Sequence, residues 1–324
     1  YRNLGIAPLN TLQYLGSQNL NAPLLAVVDI GSNSIHLEAA FRRANKPIQV
    51  IHERKVKCQL AAGLDADGAL DGDAIERGRE ALALVKADLD RLAPDFVAVV
   101  ATHAVRTASN GQIFAQEVEH LLGVPCEMIN GTSEAELVLL GTAVTEQVTD
   151  ALAVIDVGGG STEIALGEPL AKRSPFSISL PVGCVTLRDR FECINHPDHF
   201  ASARASVRRI LEKSPLAKNF LSGQSYVFAT SGTARALAKL ALGRCSPTDN
   251  ELVGYCVRRK HLEATAELLI GSNEFNRQDF GIGTKRSELL GSGLSVMLEV
   301  MSYLGVDSFR YSRGSVRHGI LYKA

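Results

Sequence analysis

Two aspartates in this chain each close an apolar run and open a turn. "AVVDIGSNSIHL" begins at Ala26 and "AVIDVGGGSTEI" at Ala153, 127 positions later, so Asp29 and Asp156 hold the same place in two copies. Gly158, Gly159 and Gly160 carry no side chains, and Ser161 follows. Bare amide groups gathered in such a turn bind an anion, phosphate best. Gly31-Ser32-Asn33-Ser34 offers the same with side-chain donors added, and Thr230-Ser231-Gly232-Thr233 offers a third loop just ahead of a helix. Glu163 lies seven residues after Asp156, on the returning strand, where it can point back at that aspartate. Carboxylates beside bound phosphates suit Mg²⁺, which takes few protein ligands and keeps its waters. In "CEMINGTSEAEL", Ser133 and Glu136 have capping-box spacing, which puts Glu134 in the first turn of a helix. There it either complements the helix dipole or acts as a base on an attacking water, and its position leaves both open.

These residues need strands and turns to hold them. "LLAVVDI" is a continuous apolar run, as a buried strand should be, and "IHLEAAF" returns from the turn "GSNS". "LAVIDV", "GGGS" and "TEIAL" repeat that order. The motif is therefore a hairpin, not the strand-to-helix turn of a dinucleotide fold, whose G-x-G-x-x-G fingerprint is absent. "VVATHAVRTA" from Val99 returns as "VFATSGTARA" from Val227, an offset of 128. Two matches at nearly one offset imply two domains of one α/β fold, related by duplication. The expected division is an arm over 1–23, a first domain over 24–146 and a second over 147–313. A terminal helix near 314–324 is placed to pack back on the first. Helices are predicted over "DGDAIERGREALALVKADLDRLAP", with Asp71 or Asp73 as its cap, and over "FASARASVRRILEK", "RKHLEATAELLIG" and "SELLGSGLSVMLEVMSYLG". Gly123 and Gly243 read as helix C-caps.

Composition narrows the class. Of 324 residues, 46% are hydrophobic and 21% charged, and the net charge is −1, which suits a globular protein without a nucleic-acid partner. There is no apolar run long enough for a membrane span, and the opening residues do not read as a signal peptide. The six cysteines, Cys58, Cys126, Cys184, Cys193, Cys245 and Cys256, form no Cys-x-x-Cys pair, so they read as idle thiols in a reducing cytoplasm.

Taken together these residues resemble the exopolyphosphatase and guanosine pentaphosphate phosphohydrolase family, within the sugar kinase, Hsp70 and actin superfamily. "AVVDIGSNSIHL", "LAAGL", "ATHAVRTASN", "INGTSEAEL", "VIDVGGGSTEIALG", "ISLPVGCVTLRDRF", "VFATSGTARAL" and "SRGSVRHGILY" occur in family order. The resemblance implies two ribonuclease H-like (actin-like ATPase) domains with an interlobe active-site cleft. It implies Mg²⁺-assisted hydrolysis of terminal phosphate from inorganic polyphosphate or pppGpp, and a homodimer. Glu134 matches the family's water-activating glutamate. Asp156 and Glu163 match the carboxylates near the metal, with Asp29 as their duplicate. Arg106 matches a phosphate-binding arginine, and Ser32, Asn33, Gly158 to Ser161, Ser231, Gly232 and Thr233 match the phosphate loops.

Ser133, Glu288 and Arg313 depart from the family's common residues, which touches substrate preference more than chemistry. Lys55, Lys57, Arg188 and Arg190 are candidates for a polyanion track, against plain solvated charge. Rival readings are a sugar or acetate kinase, which Glu134 argues against, and a non-catalytic polyphosphate or pppGpp sensor, which the intact carboxylate set argues against.

Overall fold

The computed structural model describes residues 13–14, 22–43, 47–170, 176–191, 196–224, 226–243, 247–271 and 288–324. Most of the arm over 1–23, with Cys193 and Cys245, lies outside them. The chain divides into two units, Tyr1–Gln147 with Gly314–Ala324, and Val148–Arg313.

In the first unit a short strand β1 (Gln13–Tyr14) edges a sheet whose centre is the hairpin β2 (Leu24–Ile30) and β3 (Ser34–Phe41). β4 (Gln49–Lys57) continues the antiparallel run. Helix α1 (Gly72–Leu92) crosses over to β5 (Phe96–Ala101), which pairs parallel with β2. Asp71 caps α1 by accepting the Ala74 N–H at 2.6 Å. After α2 (His103–Thr107) and α3 (Gly111–Leu122), β6 (Cys126–Met128) pairs parallel with β5, and α4 (Gly131–Glu146) follows. β2 is buried along both faces up to Asp29, hence its run of hydrophobic residues from Leu24 to Val28.

The second unit repeats this order. β7 (Leu152–Val157), β8 (Thr162–Gly167) and β9 (Phe176–Leu180) form the antiparallel run. Helices α5 (Cys184–Arg190) and α6 (Pro197–Lys213) precede β10 (Val227–Thr230), which pairs parallel with β7. Then come α7 (Ser231–Leu242), α8 (Asp249–Leu252), β11 (Cys256–Arg258), α9 (Arg259–Gly271), α10 (Leu290–Leu304) and β12 (Ser308–Tyr311). The sheet order β12-β10-β7-β8-β9 reproduces β6-β5-β2-β3-β4. The duplication inferred from short matches is therefore a duplication of topology. Gly123 and Gly243 are the C-caps of α3 and α7, at φ 71° and 66°.

α10 is buried almost all round, which its apolar sequence demands. Its one carboxylate, Glu299, is 4% exposed and is held by Arg204 and Arg208 from α6. The last helix, α11 (Val316–Lys323), packs against α4 in the first unit. Their backbones nearly touch: a Cβ on Gly141 would lie 2.0 Å from the Ser315 carbonyl oxygen, and one on Gly319 2.2 Å from that of Leu137.

Two local expectations change. α4 begins at Gly131 and its cap is Asn130, whose side chain accepts the Ser133 N–H at 2.8 Å. Ser133 is thus inside the helix, and an Asx cap three residues earlier replaces the Ser133–Glu136 box. The sequence does not announce the third strands, β4 and β9; in "QVIHERKVK" every second side chain from Gln49 to Lys55 is exposed and none is fully buried.

Candidate active site

The two hairpin turns are geometric copies. The Gly31 N–H donates to the Ser34 carbonyl at 3.1 Å, and the Gly158 N–H to that of Ser161 at 3.0 Å. In the second turn the carbonyls face the start of α5. Cys184 N–H donates to Gly158 at 2.9 Å, Val185 to Gly159 at 2.8 Å and Thr186 to Gly159 at 3.2 Å. These bonds satisfy donors that a helix N-terminus otherwise leaves orphaned. In a planar trans peptide the following N–H points opposite to the carbonyl. The amides of Gly159 and Gly160 therefore turn away from α5, side by side. The first turn uses the same device: the Ser32 carbonyl accepts from Ala61 at 2.9 Å and that of Asn33 from Cys58 and Gln59 at 3.2 and 3.1 Å. The Asn33 amide is thereby turned outward, like that of Gly160.

Gly183 makes the second arrangement possible. A Cβ there would sit 2.4 Å from the Gly159 carbonyl oxygen and 2.7 Å from the Gly160 nitrogen. "LPVGCV" was part of the family match, but its glycine carried no assigned role. The need for it arises from a close approach that no local pattern encodes.

The third loop is more self-contained. Ser231 has φ 80°, unusual for a residue with a side chain. Its hydroxyl donates to the Val157 carbonyl at 2.9 Å and accepts the Thr233 N–H at 3.1 Å. Ser231 thus ties the α7 terminus to β7. Gly232 and Thr233 lie in the first turn, and Thr233 is buried.

Asp156 stands directly opposite Glu163 in the β7–β8 register, and Glu163 opposite Ser179 in β8–β9. The Ser179 hydroxyl donates to Glu163 at 2.7 Å. Glu163 is 2% exposed. Like charges facing one another across strands repel, and a cation beside the pair would relieve that repulsion. Its all-oxygen donors fit Mg²⁺.

In the first unit, Glu134 is buried and Arg106 Nη1 donates to its Oε2 and to the Ile129 carbonyl, both at 2.8 Å. The charge-assisted bond fixes the carboxylate's direction. Asp29, the duplicate of Asp156, is instead bound by Arg317 Nη1 at 3.0 Å. Burial pushes the Asp29 carboxyl above the ordinary range, and Arg317 opposes that rise. Arg317 lies 288 residues away in sequence and was not foreseen. Among the described residues no three His, Cys, Asp or Glu side chains converge as a metal group.

Arg188 pairs with Asp189 and Arg190 with Ser206, both on the helix that the glycine turn caps. Lys55 stands opposite His36 on the strand next to Asp29's partner. Burial pushes the thiols of Cys58 and Cys126 up to about 11 and about 12, so both are inert near neutrality.

His103 opens α2 beside Arg106, and burial, then the Arg106 charge, pushes it down to about 4. An unfolded histidine titrates near 6.5 and binds the proton that the folded one refuses. Its contribution is full above pH 6.5 and is lost as pH falls toward about 4. Melting temperature should therefore fall more steeply over that interval in the wild type than in His103→Gln. Superimposable slopes would contradict a neutral, half-buried His103.

Residues 40–324 match the Ppx/GppA phosphatase family. A guanosine-5'-triphosphate,3'-diphosphate pyrophosphatase of Vibrio vulnificus is 30% identical over 95% of this chain and 60% of its own length. The chain thus spans about 60% of that relative. A Haemophilus influenzae protein provisionally named an exopolyphosphatase is 30% identical over 93% of this chain and 91% of its own. The crystal structure of an exopolyphosphatase-like protein superposes with a TM-score of 0.82 at 24% identity, covering 94% of this chain and 98% of the other.

Proposed function

Because the chain belongs to the Ppx/GppA phosphatase family, we propose that it hydrolyses phosphoric anhydrides, removing the terminal phosphate of linear inorganic polyphosphate. The observation that carries this reading is the pair of like turns, each with its carbonyls fixed toward a following segment and amides turned outward. Each turn, within its own unit, offers backbone donors that suit a phosphate group.

Each residue then has a task. The amides of Gly159, Gly160 and Asn33 donate to phosphate oxygens. Arg106 holds Glu134 in one orientation and adds positive charge beside the phosphoryl group. Glu134 orients a water and takes its proton as the oxygen attacks phosphorus in line. The P–O bond to the shortened chain breaks, and orthophosphate leaves. Little covalent work falls to the protein, so placement and charge neutralisation supply the acceleration. Asp156 and Glu163 would hold Mg²⁺, which when bound neutralises charge developing on the phosphate oxygens.

The Vibrio relative's name favours pppGpp as a second substrate. Orthophosphate release with Mg²⁺, measured on tripolyphosphate, long polyphosphate and pppGpp, separates the readings by kcat/KM. Polyphosphate is expected to give the highest value. A clear excess for pppGpp would reverse the order, and no release from any of the three would favour a binding protein.

A further inference from the structure

Duplication made Asp29 and Asp156 equivalent in sequence, but their surroundings have diverged. In the second unit the row across three strands reads Asp156, Glu163, Ser179: two carboxylates and a hydroxyl. In the first unit the same row reads Asp29, His36, Lys55: one carboxylate and two basic side chains. Glu38 lies two positions beyond His36 and therefore on the same sheet face. Over this face comes the first turn of α11, whose Arg317 donates in two directions, Nη1 to Asp29 at 3.0 Å and Nε to Glu38 at 3.1 Å. His318, bonded to the Ser315 hydroxyl at 2.9 Å, brings its Nε2 to 3.5 Å from the second oxygen of Glu38. Glu38 is 2% exposed and Arg317 17%, so little water screens these charges.

A carboxylate already matched by a guanidinium, in a row of basic neighbours, is a poor place for a divalent cation. A carboxylate facing a second carboxylate is a good one. We propose that Arg317 is a positioning residue that engages Asp29 and Glu38 together, so that Asp29 anchors the chain's last helix at the strand end leading into the first turn and is not itself a ligand of the divalent cation assigned above to Asp156 and Glu163. The cation half rests on the metal-assisted reading above. The two aspartates are thus unequal, one serving as a strut and the other as a ligand.

The test uses the full chain and Mn²⁺ as a spin-active probe, with free Mn²⁺ followed by electron paramagnetic resonance. Asp156→Asn is expected to weaken Mn²⁺ binding by about tenfold or more, and Asp29→Asn by less than about threefold. Asp29→Asn should instead lower the melting temperature. Its effect should be non-additive with Arg317→Met, as expected for residues in contact. Arg317→Lys keeps the charge but loses the two-sided fork, so KM for polyphosphate should rise while Mn²⁺ affinity stays unchanged. Weakening by Asp29→Asn equal to that by Asp156→Asn, or strict additivity with Arg317→Met, overturns the proposal and leaves the hydrolase reading standing. A wild type that binds no Mn²⁺ overturns the cation assignment together with the metal-assisted reading.

Discussion

Glu134→Gln is expected to lower kcat on polyphosphate by about 10²–10⁴-fold, the usual worth of a general base. The amide keeps an oxygen for Arg106 Nη1, which Glu134 Oε2 now accepts at 2.8 Å, so the local geometry should survive. What disappears is the ability to take a proton from water. KM should change little, because the amides of Gly159 and Gly160, proposed above to donate to phosphate, belong to another part of the chain. Loss of kcat with KM retained is the signature of a group that acts on the transition state rather than on binding. Glu134→Ala should lose as much activity and also destabilise the first unit, since Arg106 is only 20% exposed and would lose its carboxylate partner, keeping only the Ile129 carbonyl. Steady-state kinetics on the Gln variant, with its melting temperature as a folding control, decides the point. A Gln variant with kcat near wild type would remove Glu134 from the chemistry.

Gly183→Ala should be nearly as damaging, although its side chain would touch no substrate. The added methyl would meet the Gly159 carbonyl oxygen at 2.4 Å and its carbon at 2.5 Å, and these are backbone atoms that cannot rotate aside. Relief requires the glycine turn or the α5 terminus to move. Either movement breaks the bonds from Cys184 and Val185 that set the outward direction of the Gly159 and Gly160 amides. Removing one fixed donor from an anion-stabilising site costs about 10²–10³ in rate, and kcat/KM should fall by that order. Overpacking costs about 1–3 kcal/mol of stability, so the variant should still fold. A folded Gly183→Ala with kcat/KM within about threefold of wild type would show that the amide direction does not matter.

The site was unevenly legible in the sequence. The hairpins and their glycine turns could be read because their signals are local: an apolar run, an aspartate and a turn within about a dozen residues. The facing of Asp156 and Glu163 follows from the place of Glu163, seven residues on and on the returning strand of the hairpin, and the register agrees. The Ser133–Glu136 spacing misled because Asn130, three residues before Ser133, offers an equally good cap and takes it. β4 was missed because an outer strand needs few apolar residues. Arg317 and Gly183 were illegible for another reason. The first meets Asp29 only when the final helix returns to the first sheet, and the second matters only because α5 starts against a turn more than twenty residues earlier. Non-local contacts of that kind belong to the tertiary fold.

The most direct test of terminal hydrolysis is the distribution of product lengths when long polyphosphate is incubated with the protein and Mg²⁺. Orthophosphate as the sole small product from the first minutes, with the parent chains shortening from their ends, is the predicted result. Early fragments of intermediate length, or no orthophosphate above the uncatalysed background, would contradict it.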